Sequence, residues 1–383
     1  MRTHTATGID IGTSEVKVVI TESHPESDRA LPKIVGIGTA ESKGLRHGYI
    51  VNAREAAASV VQAVRQAEKV SGAKVRKAFI ALGGASLQSV TSTGTAVISR
   101  GDSEAGEIDI DKAVAAAERA IPSSSMTNRR IIHTVPLSYK IDGKPILGRP
   151  QGMKGNKLEA KVLFVTCLTQ HLDDLVEAIT DAGIEVMDVT ASPLAASLVT
   201  LSKSQKVAGC VLANIGAETV SIAVFENNLP VSLEVFSIGS NDITNDIALG
   251  LKIPIEEAEQ LKRGGTTGTQ VSKKKLDEIV DARASDVFDL IEAHLKKIDR
   301  NGLLPAGIII TGGGAGIPGI DEMAKYALKL PARITGPKES AISVAYGLSM
   351  LGLGSDDAQD SGISKSGLGL AKRIADWFKQ FLP

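Results

Sequence analysis

The first pattern in the chain is an apolar stretch over residues 8–21 that alternates with polar positions at first and then runs continuously. Small residues at 12–14 interrupt it, which predicts two strands joined by a turn with a small, polar tip. Apolar residues at helical spacing follow over 53–71 and stop at Gly72, a residue suited to a C-terminal cap. We therefore expect a hairpin followed by one amphipathic helix.

The middle of the chain predicts a separate mixed unit inserted into this plan. Short strand patterns fill residues 77–167 around a helical pattern near 111–120. After them the pattern predicts a helix over 172–182, a strand over 185–190 and a helix over 193–201, the order of a βαβ connection.

The second half of the chain repeats the first in outline. From Val207 three strand patterns with Gly-containing joints are followed by helical patterns over 241–249 and 255–262 and a long amphipathic helix over 276–297. Residues 307–319 are an apolar strand that runs into three consecutive glycines. Such a glycine run indicates a backbone that approaches another group closely.

The C-terminal residues predict a tether and a surface helix. Residues 353–369 are rich in Gly, Ser and Asp, which is typical of a flexible linker, so we expect the folded core to end near Leu351. The following residues place five large apolar side chains on one helical face, and mostly charged ones, including the cation Arg373, on the other. The apolar positions are Leu370, Ile374, Trp377, Phe378 and Phe381.

This terminal helix has two possible positions. It could pack on its own domain, or it could lie on a membrane surface. The preceding linker, the basic residues and the only Trp of the chain favour the membrane surface.

Composition limits the remaining functions. The 43 Lys and Arg residues balance 44 Asp and Glu residues, giving a formal charge of −1, so we expect no nucleic-acid partner. Neither a signal peptide nor a membrane-spanning stretch is expected. Cys167 and Cys210 lie in apolar runs without metal-ligand spacing, which indicates buried thiols and a reducing cytoplasm.

Three Gly-rich elements, at residues 10–17, 214–221 and 311–316, are candidates for holding a nucleotide. Small residues at a hairpin tip let main-chain N–H groups point at phosphate oxygens. Asp10 is placed to hold a hydrated Mg²⁺, and Lys17 to offset phosphate charge. Each element alone could equally be a simple turn, but their order and separation resemble the actin, sugar-kinase and heat-shock-70 superfamily, which implies an ATP cleft between two halves.

Within that superfamily the chain resembles the FtsA family of bacterial cell-division proteins over most of its length. The matching segments are GIDIGTSEVKVVI at 8–20, SKGLRHGYIVN at 42–52, AFIALGGASLQS at 78–89, HTVPLSYKIDG at 133–143, IGSNDITNDIA at 238–248, EEAEQLKRGG at 256–265, ITGGGAGIPGI at 310–320 and the terminal AKRIADWFKQFL.

The resemblance implies an α/β, actin-like fold of two domains with an inserted subdomain of the SHS2 type. The expected parts are a first core of residues 1–78, 166–205 and 340–352, the insert at 79–165, a second core of 206–240 and 303–339, a subdomain at 241–302, a flexible linker at 353–367 and a membrane-targeting amphipathic helix at 368–383.

The resemblance also implies contacts with ATP and Mg²⁺. The residues expected to contact the nucleotide are Asp10 (to Mg²⁺ through water), Gly12, Thr13, Ser14, Lys17, Asn214, Gly216, Gly239 and Asn241. Glu259 and Lys262 are expected at the ribose and base, with Gly312, Gly313 and Gly314 under the adenosine. From the residues alone, Glu259 and Lys262 could be an ordinary exposed helix pair.

Two departures from the superfamily pattern concern hydrolysis. Asn214 stands where the second phosphate loop usually begins with Asp, and Ser192 precedes Pro193 where heat-shock and cell-shape relatives have Glu. With no evident general base, we expect weak or no ATPase activity and no catalytic residue. ATP is then expected to act as a conformational and polymerisation ligand.

The expected function is a tether for division filaments. The resemblance implies a peripheral protein on the cytoplasmic face of the bacterial inner membrane at the division site, which polymerises with itself and recruits other division proteins. The helix that carries Arg283 is expected to bind the acidic C-terminal peptide of FtsZ. The alternatives are a pilus-assembly adaptor of the same fold and, less favoured, an actin-fold kinase or ATPase.

Overall fold

The structure is a computed structural model that describes residues 4–23, 31–99, 103–268 and 271–359, without the side chains of 337–339 and 355–359. The predicted terminal helix at 368–383, with its membrane-binding residues, lies outside this description. Among the described helices, none combines the length and the apolar character that crossing a bilayer requires.

The structure contains sixteen strands and eleven α-helices in its described part. The strands are β1 (His4–Ile11), β2 (Glu15–Ser23), β3 (Lys33–Glu41), β4 (Leu45–Arg46), β5 (Tyr49–Ile50), β6 (Lys77–Leu82), β7 (Gln88–Val97), β8 (Arg129–Ile141), β9 (Lys144–Ile146), β10 (Lys157–Leu168), β11 (Glu185–Ala191), β12 (Cys210–Ile215), β13 (Val220–Glu226), β14 (Leu229–Phe236), β15 (Ile308–Thr311) and β16 (Ala332–Ile334). The helices are α1 (Ala53–Ser71), α2 (Glu107–Arg119), α3 (Ser123–Met126), α4 (Thr169–Asp181), α5 (Ser192–Thr200), α6 (Lys203–Ala208), α7 (Ser240–Leu251), α8 (Ile255–Lys262), α9 (Lys273–Lys297), α10 (Ile320–Leu328) and α11 (Pro337–Gln359), with a 3-10 turn at Gly313–Gly316.

Two five-strand units of identical order form the two halves. The first has the order β11-β6-β1-β2-β3, and the second the order β16-β15-β12-β13-β14. In each unit the first three strands along the chain pair antiparallel, and two later strands add in parallel at one edge. This duplication is the repeat that the apolar pattern predicted, and the fold is the expected actin-like α/β arrangement.

The inserted subdomain begins later than predicted. Its four antiparallel strands, in the order β7-β10-β8-β9, adjoin the second sheet through the pairing of Gln88 with Glu234. Strand β6 is not part of it, because β6 lies between β1 and β11 in the first sheet. The prediction that residues 79–82 open the insert is therefore wrong, since the partners of this strand are distant along the chain and leave no local mark.

Three apolar clusters support the first half, the second half and the insert. Helix α1 begins and ends where its pattern predicted: Asn52 caps it by accepting from the Glu55 N–H, and Gly72 ends it with a left-handed backbone. Its buried stripe covers the first sheet, so the sheet's strand ends are held in fixed positions.

Helix α11 corrects the predicted start of the tether. The helix continues to Gln359, Leu353 is 7% exposed, and a Cβ on Gly352 would lie 2.7 Å from the Phe79 ring. The prediction of a linker is thus wrong for residues 353–359, because the small residues that suggested flexibility allow close packing at the start of this segment. A Cβ on Gly8 would lie 2.0 Å from the Ala345 carbonyl, so α11 packs directly on β1.

Candidate nucleotide cleft

A cavity of about 460 Å³ lies between the two halves, where the predicted Gly-rich elements converge. Twelve of the fourteen residues expected to contact nucleotide line it. They are Asp10, Gly12, Thr13, Ser14, Lys17, Asn214, Gly216, Asn241, Glu259, Lys262, Gly312 and Gly313. Three elements that begin at residues 10, 214 and 311 thus form one site.

The β1–β2 hairpin supplies the charged wall of the cavity. Its strands pair Asp10 with Lys17, and the Gly12 N–H donates to the Glu15 carbonyl at 3.2 Å, which closes a tight turn. At the tip, the N–H groups of Thr13 and Ser14 donate to no other described group, while the Ser14 carbonyl accepts from the Ser42 N–H at 3.0 Å. Two main-chain donors at the tip are therefore available to an anion.

The β12–β13 hairpin repeats this geometry on the opposite wall. Asn214 pairs with Ser221, and the Gly216 N–H donates to the Thr219 carbonyl at 2.8 Å. The tip is braced by the start of α7, where the Ser240 and Asn241 N–H groups donate to the Gly216 and Ala217 carbonyls at 2.9 and 2.8 Å. This wall carries the same backbone, with the uncharged Asn214 and Ser221 at the positions of Asp10 and Lys17.

The glycines after β15 allow a close backbone approach. Gly312 has a left-handed backbone (φ 86°), and a Cβ there would lie 2.3 Å from the Asn214 amide oxygen. Next to it, Gly313 has no neighbour within 4 Å of its Cβ position and so opens onto the cavity. Gly312 thus lets the chain turn against β12, and Gly313 leaves room for a ligand surface.

Residues at the N-terminal ends of α5, α7 and α11 also line the cavity: Ser192, then Ser240 and Asn241, then Ser340 and Ala341. A helix N-terminus carries partial positive charge, which favours an anion. Three such ends at one cavity, together with the main-chain donors of the β1–β2 tip, suit a polyphosphate.

Glu259 and Lys262 form a buried network rather than an exposed pair. Lys262 is 5% exposed, and its ammonium contacts the Glu259 carboxylate at 2.6 Å, the Thr244 hydroxyl at 2.8 Å and the Ser240 carbonyl at 3.0 Å. Burial lowers the pKa of Lys262 and Glu259 opposes that shift. For Glu259, burial acts to raise the pKa, but the hydrogen bonds from Lys262 and Thr244 outweigh it and hold the pKa low.

Gly239 and Gly314 lie behind the cavity wall instead of lining it. A Cβ on Gly239 would lie 2.4 Å from the Ala217 carbonyl oxygen, and one on Gly314 would lie 2.2 Å from the Ile215 side chain. Both glycines therefore serve the second hairpin by allowing other segments to pack against it. Their expected contact with nucleotide stays a prediction.

Several lining residues were not anticipated from the sequence. They include Gly48, Gly83, Gly84, Thr219, Arg263, Ser343 and Val344. The double glycine after β6 was a usable signal, because it follows an apolar strand as the other phosphate-loop glycines do. The start of α11 has no sequence pattern that indicates a ligand site, because only the packing of the whole fold brings it to the cleft.

Asp10 is the titratable group most affected by the cavity. Burial raises the pKa of the Asp10 carboxyl, and the Lys17 ammonium offsets part of that shift. A carboxylate in this position gains from a neighbouring cation. No group of three His, Cys, Asp or Glu side chains that could enclose a metal occurs among residues 4–23, 31–99, 103–268 and 271–359. The single buried carboxylate of Asp10 beside Lys17 fits a hydrated Mg²⁺ carried with a nucleotide.

The position before Pro193 offers no base. Ser192 is 7% exposed, lines the cavity and lies near Gly83. The carboxylates in the cavity wall are Asp10, Glu15 and Glu259, and the last is engaged by Lys262 and by Arg263 at 2.7 Å.

Arg283 lies on α9, away from the cleft. Its guanidinium contacts Asp246 at 2.6 Å and Asp286 at 3.2 Å. The hydrogen bond to Asp246 raises the pKa of Arg283. The side chain is 32% exposed, so an acidic ligand could reach it only in competition with these two carboxylates.

Comparison with protein families gives two matches. The family model described as cell division protein FtsA matches residues 211–349, and the model of the SHS2 domain inserted in FtsA matches residues 84–166. The second match starts just after β6, in agreement with the corrected start of the insert.

Curated relatives match along most of their length. Cell division protein FtsA of Pseudomonas aeruginosa is 30% identical over 94% of this chain and 91% of its own. The Bacillus subtilis protein of the same description is 30% identical over 86% and 78%, and that of Escherichia coli K12 is 25% identical over 86% and 83%.

Solved structures share the fold. The PilM-PilN type IV pilus biogenesis complex aligns with a TM-score of 0.67 at 18% identity, covering 91% of this chain and 98% of the other. MreB5 of Spiroplasma citri bound to ADP aligns with a TM-score of 0.56 at 13% identity, covering 94% and 99%. At these identities the likeness concerns architecture.

Proposed function

This chain belongs to the FtsA family of cell division proteins, and from that premise we propose that it binds ATP with Mg²⁺ in the cleft and tethers FtsZ filaments to the membrane. In this proposal it self-associates on the cytoplasmic face of the inner membrane at the division site. The observation that carries the proposal is the convergence of two equivalent hairpins and a glycine turn on one cavity between the halves.

Each wall of the cleft has a part in holding ATP. The Thr13 and Ser14 N–H groups bind phosphate oxygens, Lys17 offsets their charge, and Asp10 holds the Mg²⁺ ion through water. On the second half, Gly312 and Gly313 allow the adenosine to lie against the backbone, and the network of Glu259 and Lys262 borders the ribose and base. MreB5, which shares the fold, has been solved with ADP bound.

Hydrolysis is slow in this proposal. Ser192 cannot remove a proton from an attacking water, and the amide of Asn214 is neutral, so neither supplies the base that a fast ATPase needs. Losing a positioned base lowers a rate by roughly 10²- to 10⁴-fold. ATP then acts mainly as a ligand that sets the relative position of the two halves.

Attachment to the membrane is proposed from the sequence of the last residues. An apolar face of Leu370, Trp377 and Phe381, with Arg373 beside it, suits the interface of an anionic bilayer. Its binding energy favours reversible attachment, which self-association strengthens through multiple tails. The helix that carries Arg283 receives the acidic FtsZ peptide.

Co-sedimentation with anionic liposomes tests the tether. FtsZ, ATP and liposomes are mixed with the full chain or with a version that ends at Asp360, which leaves every described residue in place. We expect FtsZ to pellet only with the full chain. If the protein pellets and FtsZ does not, another client is indicated; if neither pellets, the pilus-adaptor function gains support.

Two point variants separate membrane attachment from partner binding. Trp377→Ala should prevent pelleting of both proteins, whereas Arg283→Ala should release FtsZ and leave the tether on the liposomes. Lys274→Ala, a change of an exposed cation on the same helix, is the matched control. If equal amounts of FtsZ pellet with Arg283→Ala and Lys274→Ala, α9 does not bind FtsZ through Arg283.

A further inference from the structure

A short hairpin of the first half reaches across the mouth of the cleft. Strands β4 and β5 enclose a turn at His47 and Gly48, both with left-handed backbones. At its tip, the His47 main-chain N–H donates to the Glu218 carboxylate at 2.5 Å, and the His47 imidazole Nδ1 lies 3.4 Å from the Glu218 carbonyl oxygen. Glu218 is on the second half, at the tip of the β12–β13 hairpin.

The β4–β5 hairpin is fixed to the first half. The Gly48 carbonyl accepts from Nε2 of the buried His171 at 2.9 Å, and the Tyr49 ring packs against this imidazole at a tilt of 38°, with the ring centroids 4.6 Å apart. Because Nε2 carries the proton, Nδ1 accepts from the Ser86 hydroxyl at 2.6 Å. A Cβ on Gly48 would lie 2.4 Å from the Gly84 Cα, so the turn is packed against the strand end after β6.

Glu218 is equally fixed to the second half. The residue before it, Ala217, accepts from the Asn241 N–H at 2.8 Å, and the backbone of both lies close against Gly239. The contact between His47 and Glu218 therefore joins two rigid supports that belong to opposite halves. Separation of the halves must break it.

The contact between His47 and Glu218 lies where a ligand would leave the cleft. A second cavity of about 630 Å³ lies at the mouth, and it shares Ser14, Asn241 and Glu259 with the nucleotide cavity while also containing His47 and Glu218. A ligand leaving between the hairpin tips passes this junction. The hydrogen bond is strengthened by the charge of its acceptor, so breaking it is slower than breaking a neutral pair.

We propose that Glu218 and the β4–β5 hairpin form a latch that holds the two halves closed and so limits the release of bound nucleotide. The consequence for release rests on the proposed ATP function, whereas the closure itself does not. Glu218 acts here as a positioning residue, because its carboxylate faces the hairpin of the other half.

Release kinetics test the role in exchange. With a fluorescent ATP analogue and Mg²⁺, we expect Glu218→Ala to release the analogue about tenfold faster than wild type and to bind it at a nearly unchanged rate. Glu218→Gln, which keeps an oxygen acceptor without charge, should give a smaller acceleration. Glu256→Gln is the control, since it removes a carboxylate of the same second cavity that has no contact with His47. Equal release from wild type and Glu218→Ala would overturn the role in exchange.

Amide hydrogen exchange measures the closure without nucleotide. In the nucleotide-free protein the His47 main-chain N–H donates to the Glu218 carboxylate, so we expect Glu218→Ala to speed exchange of this amide about tenfold and Glu256→Gln to leave it unchanged. Equal exchange of this amide in wild type and Glu218→Ala overturns the latch. Faster exchange in Glu218→Ala of a protein whose wild type binds no analogue would instead reject the ATP function and the exchange role, and would leave the closure standing.

Discussion

The β1–β2 and β12–β13 hairpins have the same backbone and different chemistry. In each, a glycine N–H donates to a carbonyl three residues later, at 3.2 Å for Gly12 and 2.8 Å for Gly216. In each, the residue two places before that glycine faces the cavity. That residue is Asp10 beside Lys17 in the first hairpin, and Asn214 beside Ser221 in the second.

This difference separates the shape of a phosphate loop from its charge. The shape follows from small residues and antiparallel register, which both hairpins keep. Charged side chains face the cavity only from the first of the two hairpins, because the one charged side chain of the second tip, Glu218, binds His47 across the cleft. We therefore expect the first hairpin to determine the affinity for metal and nucleotide. We expect the second to determine the shape of the cavity and the closure of the two halves.

The largest expected effect is a loss of affinity on removing Asp10. Asp10→Ala should weaken binding of ATP with Mg²⁺ by about 100-fold, because it removes the carboxylate that holds the hydrated ion. Asn214→Ala should weaken it by less than about tenfold, since a neutral amide attracts Mg²⁺ only weakly. Calorimetric titration with and without Mg²⁺ measures both, and equal losses would contradict the division of roles between the hairpins.

The next effect concerns the support of the second tip. Gly239→Ala places a Cβ within 2.4 Å of a main-chain oxygen, so the tip must shift, and we expect a loss of about 2 kcal/mol of unfolding free energy. Gly268→Ala is the control, because no atom lies within 4 Å of its Cβ position. Denaturant unfolding of the two variants checks this. A Gly239→Ala protein as stable as the control would show that the tip is not braced by α7.

Giving the second hairpin the charge of the first tests whether a carboxylate at position 214 increases the dependence of ATP binding on Mg²⁺. Asn214→Asp should raise affinity for ATP about tenfold when Mg²⁺ is present and lower it when Mg²⁺ is absent, because the new carboxylate attracts the ion and repels bare phosphate. The measurement is the ratio of dissociation constants with and without Mg²⁺. A ratio unchanged from wild type would mean that position 214 does not face the ion.

The smallest effect is a gain in stability of the free protein. Because burial raises the pKa of Asp10, its ionised form destabilises the folded state at neutral pH. Asp10→Asn should raise the melting temperature at pH 7 by roughly 2 °C. The sign follows from linkage: the difference should vanish below the unfolded pKa and grow as pH rises through the folded pKa. Thermal unfolding of both proteins from pH 3.5 to pH 8, without nucleotide, measures this difference. A difference in melting temperature that stays constant over this pH range would contradict the prediction.

The sequence predicted local features well and long-range pairings poorly. Helix α1 was predicted to its last residue, because its apolar spacing is regular and Gly72 marks its end chemically. Strand β6 was assigned to the insert, since only its parallel pairing with β1 places it in the first sheet. The end of α11 was missed because its small residues are typical of a linker. Only the fold shows that the Phe79 ring packs against Gly352.

The candidate site shows the same limit. Hairpin tips and consecutive glycines predicted the three elements that meet at the cavity, since such patterns have a direct backbone meaning, whereas the family resemblance supplied residues such as Glu259 and Lys262. The β4–β5 hairpin was not predicted, because two-residue strands have no periodicity. Its partner Glu218 lies 171 positions away, and no local pattern connects the two.

Helix α11 works mechanically as a lever. Its first turns, at Ser340 and Val344, form part of the nucleotide cavity, and its far end at Gln359 immediately precedes the C-terminal residues. A helix of 23 residues is about 34 Å long, and packing against β1 at Gly8 leaves it little freedom to bend. A small tilt imposed at the cavity is therefore magnified into a displacement of the far end of the helix, at Gln359.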